Sequence, residues 1–177
     1  MNTLAHAVAH DLGVAVVGAA RLGGGDVAEA YRMELADQRT VFAKTHRSPP
    51  AGFFTTEAAG LEQLRAPEVI PVPEVLAVSD GDDGSPPRLV LEWIDEGGRS
   101  TPGHEREFGA HLARLHRTGT SCFGRADHRT TGSLGLPNDP SSNWAAFYAE
   151  CRLGPLTRIA HDRGSLPAST IDELKQT

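Results

Sequence analysis

The amino-acid sequence predicts an α+β fold: an N-terminal five-stranded antiparallel sheet with one inserted helix, followed by the start of a helical lobe. Three observations lead there. Apolar, β-branched or alternating runs recur at GVAVVGAARL, VAEAYRMEL, VFAKTH, EVLAVSD and RLVLEWID, each short and bounded by Gly, Pro or Asp as strands are. One segment with helical apolar spacing, FFTTEAAGLEQLR, interrupts them after the third run. Beyond Asp95 the remaining periodic segments are helical.

Taken in order, residues 3–12 form a short amphipathic helix with Thr3 as N-cap, Leu4, Val8 and Leu12 on one side and Gly13 as its stop. The first two strands make a hairpin through the glycine-rich GGGD. ADQRT turns the chain into the third strand, and RSPPAG breaks it before the inserted helix, for which Thr55 or Thr56 is available as cap. PEVIPVP is extended because proline removes helical options. The fourth and fifth strands are joined by GDDGSPP, whose Gly, Asp and Pro are turn formers. EGGRSTPG is a link. HEREFGAHLARLHRTG then places Phe108, Leu112 and Leu115 on one helical stripe. A loop runs from Thr120 to Ser142, and NWAAFYAECRLGPLTRIAHDRG is a helix with Trp144, Phe147 and Tyr148 as core. Residues 169–177 begin another. The expected domains are 1–95 and 96–177.

Composition narrows the function classes. A hydrophobic share of 39% in 177 residues is enough for a buried core. The net charge of −6 excludes a polyanion-binding face as the leading reading, since phosphate backbones need clustered Lys and Arg. Cys122 and Cys151 are neither in C-x-x-C spacing nor paired with His at metal-ligand offsets, so they are expected to be free thiols. With no basic leader and no apolar run of membrane-spanning length, about 18 residues or more, the chain is expected to be cytoplasmic, with neither membrane nor nucleic acid as partner.

Lys44 sits inside the third strand of a chain with two lysines and fifteen arginines. Five strands, a helix after the third, a glycine-rich turn between the first two and a lysine on the third reproduce the order of parts in a kinase small lobe. Each part has a physical task. Gly23, Gly24 and Gly25 would let backbone amides approach a triphosphate that a Cβ would hold away, with Asp26 and Val27 completing the turn. Lys44 would set a compact charge on the α- and β-phosphates of ATP. Glu57 would hold that ammonium, because an unpaired charge on a half-buried strand costs several kcal/mol. Glu92, Trp93, Ile94 and Asp95 end the fifth strand where a hinge would offer backbone groups to adenine. The plainer readings are a tight turn, a rim lysine, a solvated glutamate and a core tryptophan. Joint occurrence in the right order favours the kinase lobe.

The same residues resemble the fructosamine/ketosamine kinase family. GGGDVAEAYRMEL is similar to its glycine-rich hairpin and Phe42-Ala43-Lys44 to its Phe-x-Lys strand end. FFTTEAAGLEQL is similar to its F-x-x-E-x-x-G-L helix, which puts the paired acid at Glu57 and not Glu62; RLVLEWID resembles its hinge. The stretch FGRADHRTTGSLGLPNDPSSNWAAFYAECRLGPL resembles its F-G … P-N … N-W-x-x-F-[FY]-x-x-x-R-L-x-P-L segment. The resemblance implies a protein-kinase-like fold, ATP and Mg²⁺ as cofactors, and transfer of the γ-phosphate to the 3-hydroxyl of a ketosamine on an amine or protein, the chemistry of deglycation. The alternatives are a kinase of the aminoglycoside or choline type and a non-catalytic, pseudokinase-like binding module.

The family's H-G-D-x-x-x-x-N loop does not occur; HDRG at 161–164 lacks the following Asn and is assigned to a helix end. Catalytic residues and metal ligands are therefore expected outside this chain. The chain alone is expected to be a truncated, inactive portion, self-associating through uncovered apolar surface on its later helices. Asp26 departs from the family pattern, because its charge repels phosphate unless Mg²⁺ or an arginine offsets it. No cysteine stands in that loop, so redox control there does not apply.

Overall fold

A computed structural model describes residues 3–23, 27–82, 84–95, 97, 101–125, 130–131 and 134–174. Two compact units make up the chain, Met1–Gly119 and Thr120–Thr177.

The first unit holds α1 (Thr3–Leu12), β1 (Val16–Leu22), β2 (Glu29–Leu35), β3 (Thr40–Thr45), α2 (Phe53–Arg65), β4 (Val75–Ser79), β5 (Arg88–Glu92) and α3 (Pro102–Thr118). The strands form one antiparallel sheet in the order β1-β2-β3-β5-β4. Alternation along the strands sends successive side chains to opposite faces. Val16, Met33, Leu35, Val41, Ala43 and Val90 pack with Leu4, Ala5 and Val8 of α1. Leu89 and Leu91 pack on the other face with Phe53, Phe54 and Ala58 of α2, joined by Phe42. On β3, Val41 and Ala43 thus face α1, while Phe42, and with it Lys44, face α2.

A buried ion pair ties α1 to the sheet. Arg88 is 4% exposed, and its Nε and Nη2 donate to Asp11 at 2.5 and 2.6 Å. The two-pronged geometry satisfies a guanidinium that burial would otherwise penalise.

α2 corrects one expectation. Neither Thr55 nor Thr56 caps it: the helix starts at Phe53, and its N-cap is Gly52, left-handed at φ 73° and without a side chain to accept a bond. α3 starts at Pro102, earlier than the expected apolar stripe, because Thr101 Oγ1 accepts from the His104 amide as N-cap and proline suits the first helical turn. Its Phe108 is 57% exposed and Leu112 is exposed as well.

The second unit holds β6 (Thr130–Thr131), β7 (Leu134–Gly135), α4 (Trp144–Tyr148), a π-helical turn (Ala149–Leu153), α5 (Gly154–Asp162) and α6 (Ala168–Leu174). The expected plain loop before α4 contains the β6–β7 pair and a bridge between Phe123 and Ser141, strands too short to leave a periodic signal. The expected helix is continuous but carries the π turn, where the Gly154 amide reaches back to the Ala149 carbonyl. Pro155 follows directly; it has no N–H to give, and the wider turn accommodates the missing bond. Of the three aromatics expected in the core, Phe147 is buried, whereas Trp144 is 53% exposed and Tyr148 is exposed too. HDRG does end a helix: the Gly164 amide donates to the His161 carbonyl at 2.8 Å. No helix among the described residues is long and apolar enough to cross a membrane.

Candidate functional site

Lys44 reaches from β3 toward α2, and its Nζ donates to both Glu57 oxygens, at 2.7 Å to Oε1 and 2.8 Å to Oε2. The register explains the meeting. Lys44 lies opposite Leu89 of β5, and Leu89 packs under Phe54 and Ala58, so the helix turn bearing Glu57 sits above the strand position bearing the ammonium. The side chains are 25% and 34% exposed: one face of the pair is open to solvent. Glu62, the other acid considered on α2, is not the partner.

Three of the residues expected at a hinge, Glu92, Trp93 and Ile94, line a separate hollow on this face of the sheet. A cleft of about 320 Å³ is lined by Leu22, Phe42, Pro73, Leu91, Glu92, Trp93 and Ile94. Phe42 precedes Lys44 by two strand positions, about 7 Å at the usual rise, so the cleft and the ammonium lie along one line on one face. The Trp93 Nε1–H donates to Asp95 Oδ1 at 2.8 Å, and the Arg32 guanidinium lies 5.5 Å from the Trp93 ring centre. Trp93 is therefore a half-exposed, stacked side chain. The Glu92 amide donates to the Glu74 carbonyl at 2.9 Å, and Glu92 Oε2 accepts from the Glu74 amide. Ile94 is exposed.

Of the glycine-rich turn, Gly24, Gly25 and Asp26 lie outside the described residues. A Cβ added to Gly23 would meet nothing within 4 Å among the described residues. Val27 is exposed. At the foot of the hairpin, Glu29 accepts from the Tyr31 hydroxyl at 2.8 Å and lies 3.7 Å from Arg21. The Tyr31 bond first, then the Arg21 charge, holds the Glu29 carboxyl below its ordinary value. Among the described residues no three His, Cys, Asp or Glu side chains gather as metal ligands.

A roomier cleft of about 960 Å³, lined by Glu62, Arg65, His111 and Arg114 among others, contains neither Lys44 nor the hinge. The smaller cleft, in contrast, lies in line with the gripped ammonium.

The fructosamine kinase family model matches residues 1–177. This chain belongs to the fructosamine kinase family. Its relatives include a Synechocystis protein assigned as a ketoamine kinase, 33% identical over 88% of this chain and 52% of that one. An Arabidopsis thaliana protein-ribulosamine 3-kinase is 34% identical over 80% of this chain and 43% of its own. A Thermobifida fusca structure assigned as a fructosamine-3-kinase superposes with TM-score 0.86 at 34% identity, covering 99% of this chain and 60% of the other. The fold is protein-kinase-like. This fructosamine kinase family member spans about half the length of the relatives it matches.

The family-like segment in the second unit has a physical reading as well. Gly124 sits at φ +84°, where a Cβ would meet the Phe147 ring at 2.6 Å and the Asp139 carbonyl at 2.7 Å. Arg152 donates to the Pro137 carbonyl at 2.8 Å and to Asn138 Oδ1 at 2.7 Å, with its guanidinium 4.8 Å from the Phe147 ring centre. The G, P-N, second F and R of the motif hold one another.

Residues that sequence reasoning missed as cleft lining are Leu22, Phe42, Pro73 and Leu91. Phe42 and Leu22 carried a usable signal: one shares the face of Lys44, the other directly precedes the glycine turn.

Proposed function

We propose that residues 1–95 form the ATP-clamping lobe of a ketosamine kinase and residues 96–177 the opening part of its helical second lobe. The single observation that carries this is the bidentate Lys44–Glu57 pair, open on one side and in line with the hinge-lined cleft. In this reading adenine enters the cleft against Phe42 and Leu91, and the α- and β-phosphates meet Lys44. The amides of Gly23, Gly24, Gly25, Asp26 and Val27 cover the phosphates. Since the Glu92 amide is taken by Glu74, adenine is read by backbone groups further along Trp93, Ile94 and Asp95.

The complete enzyme then transfers the γ-phosphoryl group of ATP to the 3-hydroxyl of a fructosamine or ribulosamine on an amine or protein, in cytoplasmic deglycation. A P–O bond forms to the sugar oxygen, the bond to the ADP oxygen breaks, and the hydroxyl proton leaves to a base of the H-G-D loop, which residues 1–177 do not contain. Residues 1–177 alone therefore bind nucleotide weakly at best and do not turn it over.

The test is a melting-temperature titration of residues 1–177 with ATP. Ligand linkage raises the midpoint with concentration, and Lys44→Met removes the rise. A midpoint indifferent to nucleotide would favour a non-catalytic binding module. Steady ATP turnover abolished by Lys44→Met would refute the inactivity of 1–177. Phosphorylation of ribulosyl-lysine against aminoglycosides by the complete gene product decides the substrate class.

A further inference from the structure

We infer that Asp80, in the loop after β4, is a positioning residue that sets the Lys44–Glu57 pair by anchoring the first turn of α2. The inference deepens the nucleotide reading above and rests on it. A helix start leaves amides without partners, and the N-cap Gly52 has no side chain to supply an acceptor. Asp80 supplies it from elsewhere in the chain: the Phe54 amide donates to Oδ1 at 2.9 Å and the Thr55 hydroxyl to Oδ2 at 2.6 Å. A carboxylate at this end is also favoured by the helix dipole. Glu57 follows Phe54 by three residues, less than one turn, so the height and rotation of the turn that Asp80 grips decide where the Glu57 carboxylate arrives.

The same loop is fastened to the lysine strand. Thr45, the residue after Lys44, donates its hydroxyl to the Pro87 carbonyl at 2.7 Å. Arg88 Nη1 donates to Ser85 Oγ at 2.6 Å and the Pro86 carbonyl at 3.0 Å. Beside Asp80, Gly81 stands at φ +85°, where a Cβ would meet Pro87 Cγ and the Ser85 carbonyl at 2.9 Å. One connection thus touches both partners, β3 beside the ammonium and α2 beside the carboxylate. Asp80 holds their separation.

The test reads Lys44 directly, without nucleotide. The chain has two lysines, so acylation of Lys44 is followed by peptide mass spectrometry with Lys175 as chemical reference. An ammonium gripped by a carboxylate acylates more slowly than a released one. Asp80→Ala should speed Lys44 labelling about fivefold, the scale of a lost capping interaction, toward the rate of Glu57→Ala. Asp80→Asn should restore most of the protection, because its amide oxygen still accepts from Phe54. If Asp80→Ala folds poorly, Thr55→Val, which removes one of the two bonds at an exposed position, must still raise labelling about twofold. Unchanged Lys44 labelling in folded Asp80→Ala or Thr55→Val, with only the melting point lowered, would overturn the inference. Failure of the wild type to bind ATP would instead sink the nucleotide reading and leave the labelling result standing.

Discussion

Lys44 on β3 and Glu57 on α2 meet with one ammonium between two carboxylate oxygens, both within 2.8 Å. The pair is partly open, so it contributes little to folding: exposed and half-exposed ion pairs are worth about 0–1 kcal/mol. Its value lies in presenting a positioned charge.

That separation of roles is measurable. With Lys44 25% and Glu57 34% exposed, water replaces a lost partner, so Lys44→Met and Glu57→Gln should each lower unfolding free energy by less than about 1 kcal/mol and not by the several expected for a closed strand position. They should weaken ATP binding about tenfold or more, the equivalent of about 1.4 kcal/mol. Lys44→Arg should weaken it too, because a planar fork does not replace a point charge between phosphates and carboxylate. Calorimetric titration beside urea denaturation checks both halves; undiminished affinity in Lys44→Arg contradicts the assignment.

Arg88 and Asp11 behave in the opposite way. Arg88 is buried and the Asp11 side chain only 16% exposed, so Arg88→Met, which takes the guanidinium from the Asp11 carboxylate, should cost up to about 3 kcal/mol. The double variant Arg88→Met/Asp11→Leu should recover most of that loss, since apolar replacement of a whole buried pair is nearly neutral. Denaturant midpoints of the three proteins decide it.

Gly124→Ala should unfold the second unit locally. The new methyl would meet the Phe147 ring and two backbone carbonyls inside 3 Å at a left-handed φ, a strain that no side-chain rotation relieves. Hydrogen exchange should accelerate around Phe123, Ser141 and Arg152 while the sheet of the first unit keeps its protection.

At the foot of the glycine hairpin, Glu29 is held below the usual carboxylate value of 4.5, first by the Tyr31 hydroxyl and then by Arg21. A group lowered in the folded state adds stability above its unfolded pKa, and that stability is lost as pH falls through the folded one. Tyr31→Phe removes the larger cause, so the Glu29 midpoint should move up toward 4.5 in a carboxyl NMR titration. A midpoint that stays put would assign the whole effect to arginine.

Much of the fold and the pairing of Lys44 with Glu57 were legible in the residues. Strand and helix periodicities placed α1, the five strands and α2 in order, because alternation at two and at 3.6 residues is a local property of the chain. Lys44, Glu57 and the hinge residues stood out because their residue types are rare or oddly placed for mere packing. The cap of α2 was misread for a corresponding reason: local chemistry offered Thr55 and Thr56, whereas the acceptor is Asp80, brought in by the antiparallel return of β4 and β5. Trp144 and Tyr148 were misjudged because periodicity reports which face a side chain takes and says nothing of what covers it.

By itself, then, the sequence determined the order of elements, the family and the identity of the cation and its carboxylate. The tertiary structure alone decided that Asp80 anchors the helix, that Arg88 locks α1 through Asp11, and that Leu22, Phe42, Pro73 and Leu91 wall a single cleft. Those contacts join residues far apart along the chain. Which distant groups meet follows from the sheet order β1-β2-β3-β5-β4 and from close packing of two helices on opposite faces, and no short window of residues encodes either.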